Sequence, residues 1–95
     1  MSPLSHDQVA HRLAALPGWH HPGNAIEKVF DRGDFEGSIR FVGEVARLAN
    51  EQNHHPDIGV SWNRVTLTLS SHDAGGVTER DLRLAESIEK LASTQ

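Results

Sequence analysis

The sequence predicts an α+β fold in which a single layer of antiparallel sheet, with about four strands, is covered on one face by three helices. Two kinds of pattern predict it. Apolar residues recur at helical spacing in three segments, and they alternate with polar residues in the segments between them. The predicted order is α-β-β-α-β-β-α, and the long helical connections between hairpins favour helices on one face of the sheet. With 95 residues, the chain is expected to form one domain over residues 1–95.

The first helix is predicted to begin after Ser5, because Ser5 and Gln8 match a capping box. It is expected to end at Pro17-Gly18. A short strand is predicted from Trp19, followed by a turn and a returning strand over residues 25–30. The apolar residues that share one face of the first predicted helix are Val9, Leu13 and Leu16.

Residues 35–52 carry the strongest helical pattern. Two apolar stripes run side by side along this segment. The first consists of Phe35, Ile39, Val42, Ala46 and Ala49, and the second consists of Phe41, Val45 and Leu48. Together they cover about half of the circumference, more than the ~100° that packing on one core requires. Two interpretations follow: the helix is deeply buried against the sheet, or one stripe packs on a second subunit.

Two strands are predicted after the helix over residues 35–52. Pro56 is expected to end that helix, because the residue before a proline is disfavoured in the α conformation. Ile58, Val60 and Trp62 alternate with polar residues, which suits a half-buried strand. Residues 65–69 form the clearest strand, since apolar and polar residues alternate strictly and β-branched residues are frequent. If this strand continued, His72 would lie on its face away from the core.

The last helix is predicted to follow a turn at Gly75-Gly76 and to begin with a capping box over Thr78-Glu79-Arg80-Asp81. Its apolar residues recur at helical spacing and are expected to face the sheet. They are Leu82, Ala85, Ile88, Leu91 and Ala92.

Composition excludes several classes of function. The chain has no cysteine, so disulfides, thiolate nucleophiles and thiolate-bound metals are excluded. The formal charge is −4 and the basic residues are scattered, so nucleic-acid binding is not expected. No signal peptide and no apolar stretch of membrane-spanning length is recognisable. We therefore expect a cytoplasmic protein that binds neither nucleic acid nor membrane.

The triplet His54-His55-Pro56 is the main candidate site, because it follows a predicted helix and leads into a predicted strand. Imidazoles can donate and accept protons near neutral pH, so together with His72 they could perform acid/base chemistry. The structural alternative is that His54 caps the carbonyls at the end of the helix. A second triplet, His20-His21-Pro22, has no comparable sequel and is expected to lie at the surface.

A metal site is the weaker interpretation of the same residues. His54 and His55 are adjacent, so their side chains point apart in either a helix or a strand and cannot easily bind one ion together. A carboxylate from Asp57 or Asp73 with two histidines could still complete a facial site. We nevertheless predict no metal, because two histidines spaced one turn apart on a helix face are absent, and we predict no cofactor.

The spacing of these residues resembles the signature of the pterin-4a-carbinolamine dehydratases: Asn53-His54-His55-Pro56, then Trp62, His72 and Asp81. The similarity extends from Trp19 onward and includes Gly18-Trp19, Ala25-Ile26-Glu27-Lys28, Asp34-Phe35, Val45-Ala46 and Gly75-Gly76-Val77-Thr78. One position departs from the signature, because Asn50 stands where that family usually has a charged residue. Asn50 is expected to lie one helical turn from His54, where it could form a hydrogen bond but could not stabilise an imidazolium as a carboxylate would.

The resemblance implies a metal-free dehydration of a 4a-hydroxytetrahydropterin to the quinonoid dihydropterin during recycling of a pterin cofactor. It implies acid/base roles for His54 and His72, without saying which is the acid, and a role for His55 in binding and orienting the ring. The remaining residues that it implies for the pocket are Pro56, Ser71, Asp73 and Ala74. Trp62 is either a stacking platform or core, with core preferred, and Asp81 either caps the last helix or takes part in catalysis, with capping preferred.

The resemblance also leaves two other functions open. Some members of that family act as dimerisation cofactors of homeodomain transcription factors, and the stripe of Phe41, Val45 and Leu48 is the candidate surface here. The same stripe is explained as well by a homodimer or homotetramer, which we favour. A pterin-binding protein without turnover is the third possibility, because of Asn50.

Overall fold

Three helices and a three-stranded antiparallel sheet form the computed structural model, which describes residues 2–94. The elements are α1 (His6–Leu13), β1 (Ile26–Asp31), α2 (Phe35–Gln52), β2 (Asp57–Ser61), β3 (Arg64–Leu69) and α3 (Glu79–Ser93). The strands are arranged in the order β1-β3-β2. The predicted α+β class is confirmed, with the observed order α-β-α-β-β-α. No helix of the described residues is long and apolar enough to cross a membrane.

The strand predicted from Trp19 is reduced to a single bridge between His20 and Glu27. The two residues exchange backbone hydrogen bonds of 2.8 and 2.9 Å. Two positions further on, Pro22 has no N–H to extend the ladder, and its carbonyl instead accepts from the Ala25 N–H in a turn. The sheet therefore has three strands where about four were expected.

The ends of the helices are set by local hydrogen bonds. Both predicted capping boxes, at Ser5 with Gln8 and at Thr78 with Asp81, are present. At the end of α2, Asn53 adopts the left-handed conformation with φ 51° and its N–H contacts the Ala49 carbonyl. The left-handed conformation of Asn53 changes the direction of the chain, so His54 and His55, which lie between Asn53 and Pro56, leave the helix axis.

The core lies between the sheet and the three helices. From α2 it receives Phe41, Val45 and Ala49, which are buried. Phe35 and Ile39 are 53% and 48% exposed. The prediction that the stripe with Phe41 and Val45 faces a partner is therefore wrong, and the exposed apolar surface belongs to the other stripe. The buried residues of β3 and α3 agree with the predicted pattern and include Val65, Leu67, Leu69, Leu82, Ala85 and Ile88.

Strand β2 forms an exposed edge of the sheet. Its residues Ile58 and Val60 pair with the buried Leu67 and Val65, so they face the same side, yet both remain exposed. Trp62 lies in the turn after β2, with φ 51° and 66% of its surface exposed. The predictions of a half-buried strand and of a core Trp62 are wrong, because every residue of β2 and the Trp62 side chain are exposed.

Candidate active site

His54 lies just after α2 and its ring is directed towards α3. Its backbone N–H donates to the Ala49 carbonyl at 3.0 Å. The side chain is almost completely buried, and Nε2 lies 2.5 Å from Oδ1 of Asp81. The structural alternative, in which the His54 side chain caps the helix carbonyls, does not hold, because the backbone N–H groups of Asn53 and His54 contact these carbonyls and the ring contacts a carboxylate.

Asp81 caps the last helix, as the preferred interpretation predicted, and it also contacts His54. It is fully buried in the first turn of α3. Oδ2 accepts hydrogen bonds from the Thr78 N–H and from the Ser71 hydroxyl, each at 2.9 Å. Oδ1 contacts the His54 ring. One carboxylate oxygen thus caps the helix while the other orients an imidazole.

His55 faces the opposite environment, although it is the next residue. It is exposed, and Nε2 lies 3.0 Å from Oδ1 of Asn50. Asn50 was expected to contact His54, and this expectation is wrong. The reversal at Asn53 turns His54 into the core and brings His55 back over the last turn of α2. An amide oxygen only accepts, so His55 carries a hydrogen on Nε2 in this contact.

His72 lies in the turn between β3 and α3 rather than on a strand. The strand ends at Leu69, and a bridge between Ser71 and Gly76 closes the turn. His72 is exposed there. The strand does not continue to His72, so the conditional placement of His72 on a strand face does not apply. The residue still lies at the end of the sheet where His54 lies, because β2 begins where β3 ends, with Asp57 opposite Thr68.

The other predicted pocket residues divide into buried and exposed groups. Asp73 is exposed, and its carboxylate accepts from Arg80 at 2.6 Å, a contact that holds the pKa of Asp73 below its ordinary value. Pro56 and Ala74 are half-buried. Ser71 is buried, with its hydroxyl on Asp81, so its side chain supports the site from beneath. Thr78, predicted only as part of a helix cap, also belongs to this network, because its hydroxyl contacts that of Ser71.

Two further observations delimit the site. Among residues 2–94, no group of three or more metal-ligating side chains could hold a metal ion. A cavity of about 370 Å³ lies elsewhere, between α1 and the start of α3, and is lined by residues that include His11, Arg12 and Glu79. Arg12 is already paired with Glu79 there. The contact between His54 and Asp81 is separate from that cavity, because neither residue lines it.

The chain is similar to known proteins of one family. A family model described as pterin 4 alpha carbinolamine dehydratase matches residues 2–91. A relative from Thermosynechococcus vestitus, named provisionally as a pterin-4-alpha-carbinolamine dehydratase, is 46% identical over 89 residues, which are 94% of this chain and 94% of the relative. A relative from Thermomicrobium roseum with the same name is 43% identical over 93 residues, covering 98% and 100% of the two chains. The chain belongs to the pterin 4 alpha carbinolamine dehydratase family.

Two solved structures share the fold. A transcriptional coactivator/pterin dehydratase from Brucella melitensis is 32% identical, with a TM-score of 0.91 over 96% of this chain and 99% of that one. A pterin dehydratase-like protein identified as a RuBisCO assembly factor of the alpha-carboxysome is 25% identical, with a TM-score of 0.66 over 79% and 89% of the two chains. Proteins of this fold are thus described both as dehydratases and as partners of other proteins.

Proposed function

We propose that this protein dehydrates a 4a-hydroxytetrahydropterin to the quinonoid dihydropterin and water. The observation that carries the proposal is the contact between His54 and the buried Asp81 in a chain that belongs to this family. A buried carboxylate on one ring nitrogen fixes the ring orientation and leaves the other nitrogen for proton transfer.

The reaction needs two proton transfers and no change in oxidation state. The bond between C4a and the hydroxyl oxygen breaks, the departing oxygen takes one proton to become water, and N5 loses one proton. One protonated and one neutral imidazole supply and accept these protons, which are the roles proposed for His54 and His72. A positioned acid or base of this kind contributes ~10²–10⁴-fold.

The substrate is proposed to lie against the exposed residues at this end of the sheet. His55, held on Asn50, offers its second ring nitrogen to the pterin ring, and the backbone of the turn after β3 offers polar groups to the amide edge. Pro56, Asp73 and Ala74 complete this surface.

The test is an assay of the purified protein with a 4a-hydroxytetrahydropterin, generated in place by an aromatic amino acid hydroxylase. We expect acceleration over the spontaneous dehydration, with the same rate in the presence of a chelator. A protein that binds the pterin without accelerating its dehydration would instead indicate a non-catalytic pterin-binding protein. A rate that disappears with the chelator would contradict the metal-free mechanism.

A second function, as an interaction module, is favoured by one observation. Exposed apolar side chains lie on β2, the turn that follows it and the start of α2, and they are Phe35, Ile39, Ile58, Val60 and Trp62. The Ser38 hydroxyl donates to the Trp62 carbonyl at 2.6 Å, so the turn after β2 lies against the start of α2. Exposed apolar surface at an open strand edge is typical of an interface.

We propose that a second copy of this chain covers this surface, giving a homodimer or homotetramer. Light scattering of the purified protein tests it, with Ile39→Lys as the variant and Arg40→Lys, on the neighbouring exposed position, as the control. We expect Ile39→Lys to lower the solution mass and Arg40→Lys to leave it unchanged. A monomeric wild type would contradict self-association and favour a different protein partner.

A further inference from the structure

Ser71 stands where the segment that carries His72 meets the carboxylate that orients His54. We propose that Ser71 is a positioning residue of the site: its hydroxyl fixes Asp81, and through Asp81 the ring of His54, while its backbone closes the turn that carries His72. The inference rests on the proposed function for its kinetic consequence, and on the structure alone for the state of the His54 ring.

The direction of the hydrogen bonds around Ser71 follows from counting hydrogens. Its oxygen lies 2.9 Å from Oδ2 of Asp81 and 2.8 Å from Oγ1 of Thr78. A hydroxyl has one hydrogen to donate, and a carboxylate oxygen accepts. Ser71 therefore donates to Asp81 and accepts from the Thr78 hydroxyl, which in turn accepts from the Arg80 N–H at 3.3 Å.

This order aligns the hydroxyl dipoles towards one carboxylate oxygen. The Thr78 N–H donates to the same oxygen at 2.9 Å, so Oδ2 of Asp81 has two donors. Oδ1 is left to accept from His54, which must then carry its hydrogen on Nε2. The neutral His54 ring is thereby held in the Nε2–H tautomer, and Nδ1 becomes the nitrogen that can exchange a proton with a ligand.

The backbone of Ser71 provides the link to His72. Its N–H donates to the Gly76 carbonyl at 2.9 Å, and its carbonyl accepts from the Ala74 and Gly75 N–H groups at 3.0 Å. These bonds define the turn over residues 71–76. The residue is buried, so both its backbone and its hydroxyl are shielded from competing water. One residue thus couples the positions of the two proposed acid/base imidazoles.

The kinetic test compares Ser71→Ala with Ser71→Thr, which keeps the hydroxyl, and with Ser70→Ala. Ser70 is the matched control because its hydroxyl contacts the Asn24 carbonyl instead of Asp81. We expect Ser71→Ala to lower kcat about tenfold with little change in KM, consistent with the loss of a hydrogen bond to a charged group. Because the carboxylate that orients His54 then has one donor fewer, the pH profile of kcat should also differ from that of the wild type.

Ser71→Thr should recover most of the rate and the wild-type pH profile, and Ser70→Ala should match the wild type. If Ser71→Ala lowers only the melting temperature and keeps the wild-type pH profile and kcat, the residue is merely structural and the inference is wrong. Loss of the rate in Ser70→Ala to the same extent would also contradict it.

The second test does not depend on activity. Nitrogen-15 NMR of the histidine rings distinguishes the two neutral tautomers, and His54 is assigned from the signal lost in His54→Gln. We expect the wild-type ring to be in the Nε2–H form and Ser71→Ala to show a mixture. A wild-type ring in the Nδ1–H form would overturn the inference. An inactive wild type with the Nε2–H ring would contradict the proposed function and leave the positioning by Ser71 supported.

Discussion

The chain contains the triplet His-His-Pro twice, and the two copies have different surroundings. In the first copy, His20 is exposed and contributes only backbone hydrogen bonds to Glu27. His21 stacks on the ring of His6 with the centroids 4.4 Å apart. In the second copy, His54 is buried against Asp81, and His55 contacts Asn50.

The difference lies in what the rest of the fold brings to each triplet. Asp81 is 27 residues from His54 in the chain and reaches it because α3 packs beside α2. No carboxylate reaches the rings of the first triplet in the same way within residues 2–94; the ring neighbour of His21 is another histidine. A hydrogen-bond partner on one ring nitrogen determines which nitrogen of an imidazole can transfer a proton. For His54, tertiary packing supplies that partner.

The most direct way to break this comparison is to truncate each triplet. We expect His54→Ala and His72→Ala each to lower kcat by about 10²–10⁴-fold, because each removes a proposed acid or base. His20→Ala and His21→Ala should remain close to the wild type in the same dehydratase assay. Equal losses at His20 and His54 would show that the wrong triplet has been assigned to the site.

The next effect concerns the partner of His54. Asp81→Asn keeps the size of the side chain but replaces one accepting carboxylate oxygen by an NH₂ group, which cannot accept a hydrogen bond. The His54 ring then loses its charged acceptor, and one of the buried donors to Asp81 loses its partner. We expect a loss of about 10²-fold or more in kcat and about 1–3 kcal/mol in the free energy of unfolding, measured by kinetics and urea denaturation. Glu79→Gln, at the exposed start of the same helix, is the control and should change neither by a comparable amount.

A smaller effect is expected at Asn50. Asn50→Asp would place a carboxylate beside His55, so the two adjacent imidazoles would both have anionic partners. We expect the pH dependence of KM to move to higher pH, by less than about one unit because both residues are exposed to solvent. The value of kcat should change little, since His54 keeps its own partner. A large change in kcat would show that Asn50 acts on His54 after all, and Glu51→Gln serves as the matched control on the same turn.

The smallest effect belongs to the first triplet. The pKa of His21 is lowered from its ordinary value of 6.5, first by burial of the ring and second by the neighbouring His6. The folded protein thus binds a proton on His21 less readily than the unfolded chain does. The contribution of neutral His21 to the free energy of unfolding is therefore fully present above about pH 6.5 and is lost as the pH falls through the lowered pKa. His21→Gln should flatten this decline in urea denaturation measured at about pH 7.5, 6.5 and 5.5. His20→Gln should keep the wild-type slope, and an unchanged slope in His21→Gln would refute the assignment.

Local sequence patterns predicted much of the fold correctly. The capping box at Ser5, the limits of α2 and the alternating strand over 65–69 were all confirmed. These features depend on residues two to four positions apart, whose contacts are decided by the geometry of a helix turn or a strand. Two local predictions failed. The first helix ends at Leu13 and not at Pro17-Gly18. The strand predicted from Trp19 is a single bridge that precedes a proline turn.

The site was predicted only in part. The spacing of His54, His72 and Asp81 marked the residues, and the comparisons confirmed the family. The hydrogen-bond partners of the histidines could not be predicted from spacing, because Asn50 lies one turn from His54 along an ideal helix but contacts His55. Because Asn53 adopts the left-handed conformation, His55 and not His54 lies beside Asn50. A change of chain direction at one residue leaves no periodic pattern in the sequence.

The sequence by itself determined where the helices and the main strands lie, which residues cap them, and which histidines are candidates for acid/base chemistry. Only the tertiary structure decided which stripe of α2 is buried, that Trp62 is exposed, and that His54 rather than His55 contacts Asp81. The physical reason is the range of the interactions. Caps and alternation arise between near neighbours in the chain, whereas burial and the pairing of an imidazole with a carboxylate depend on how α2, α3 and the sheet pack together.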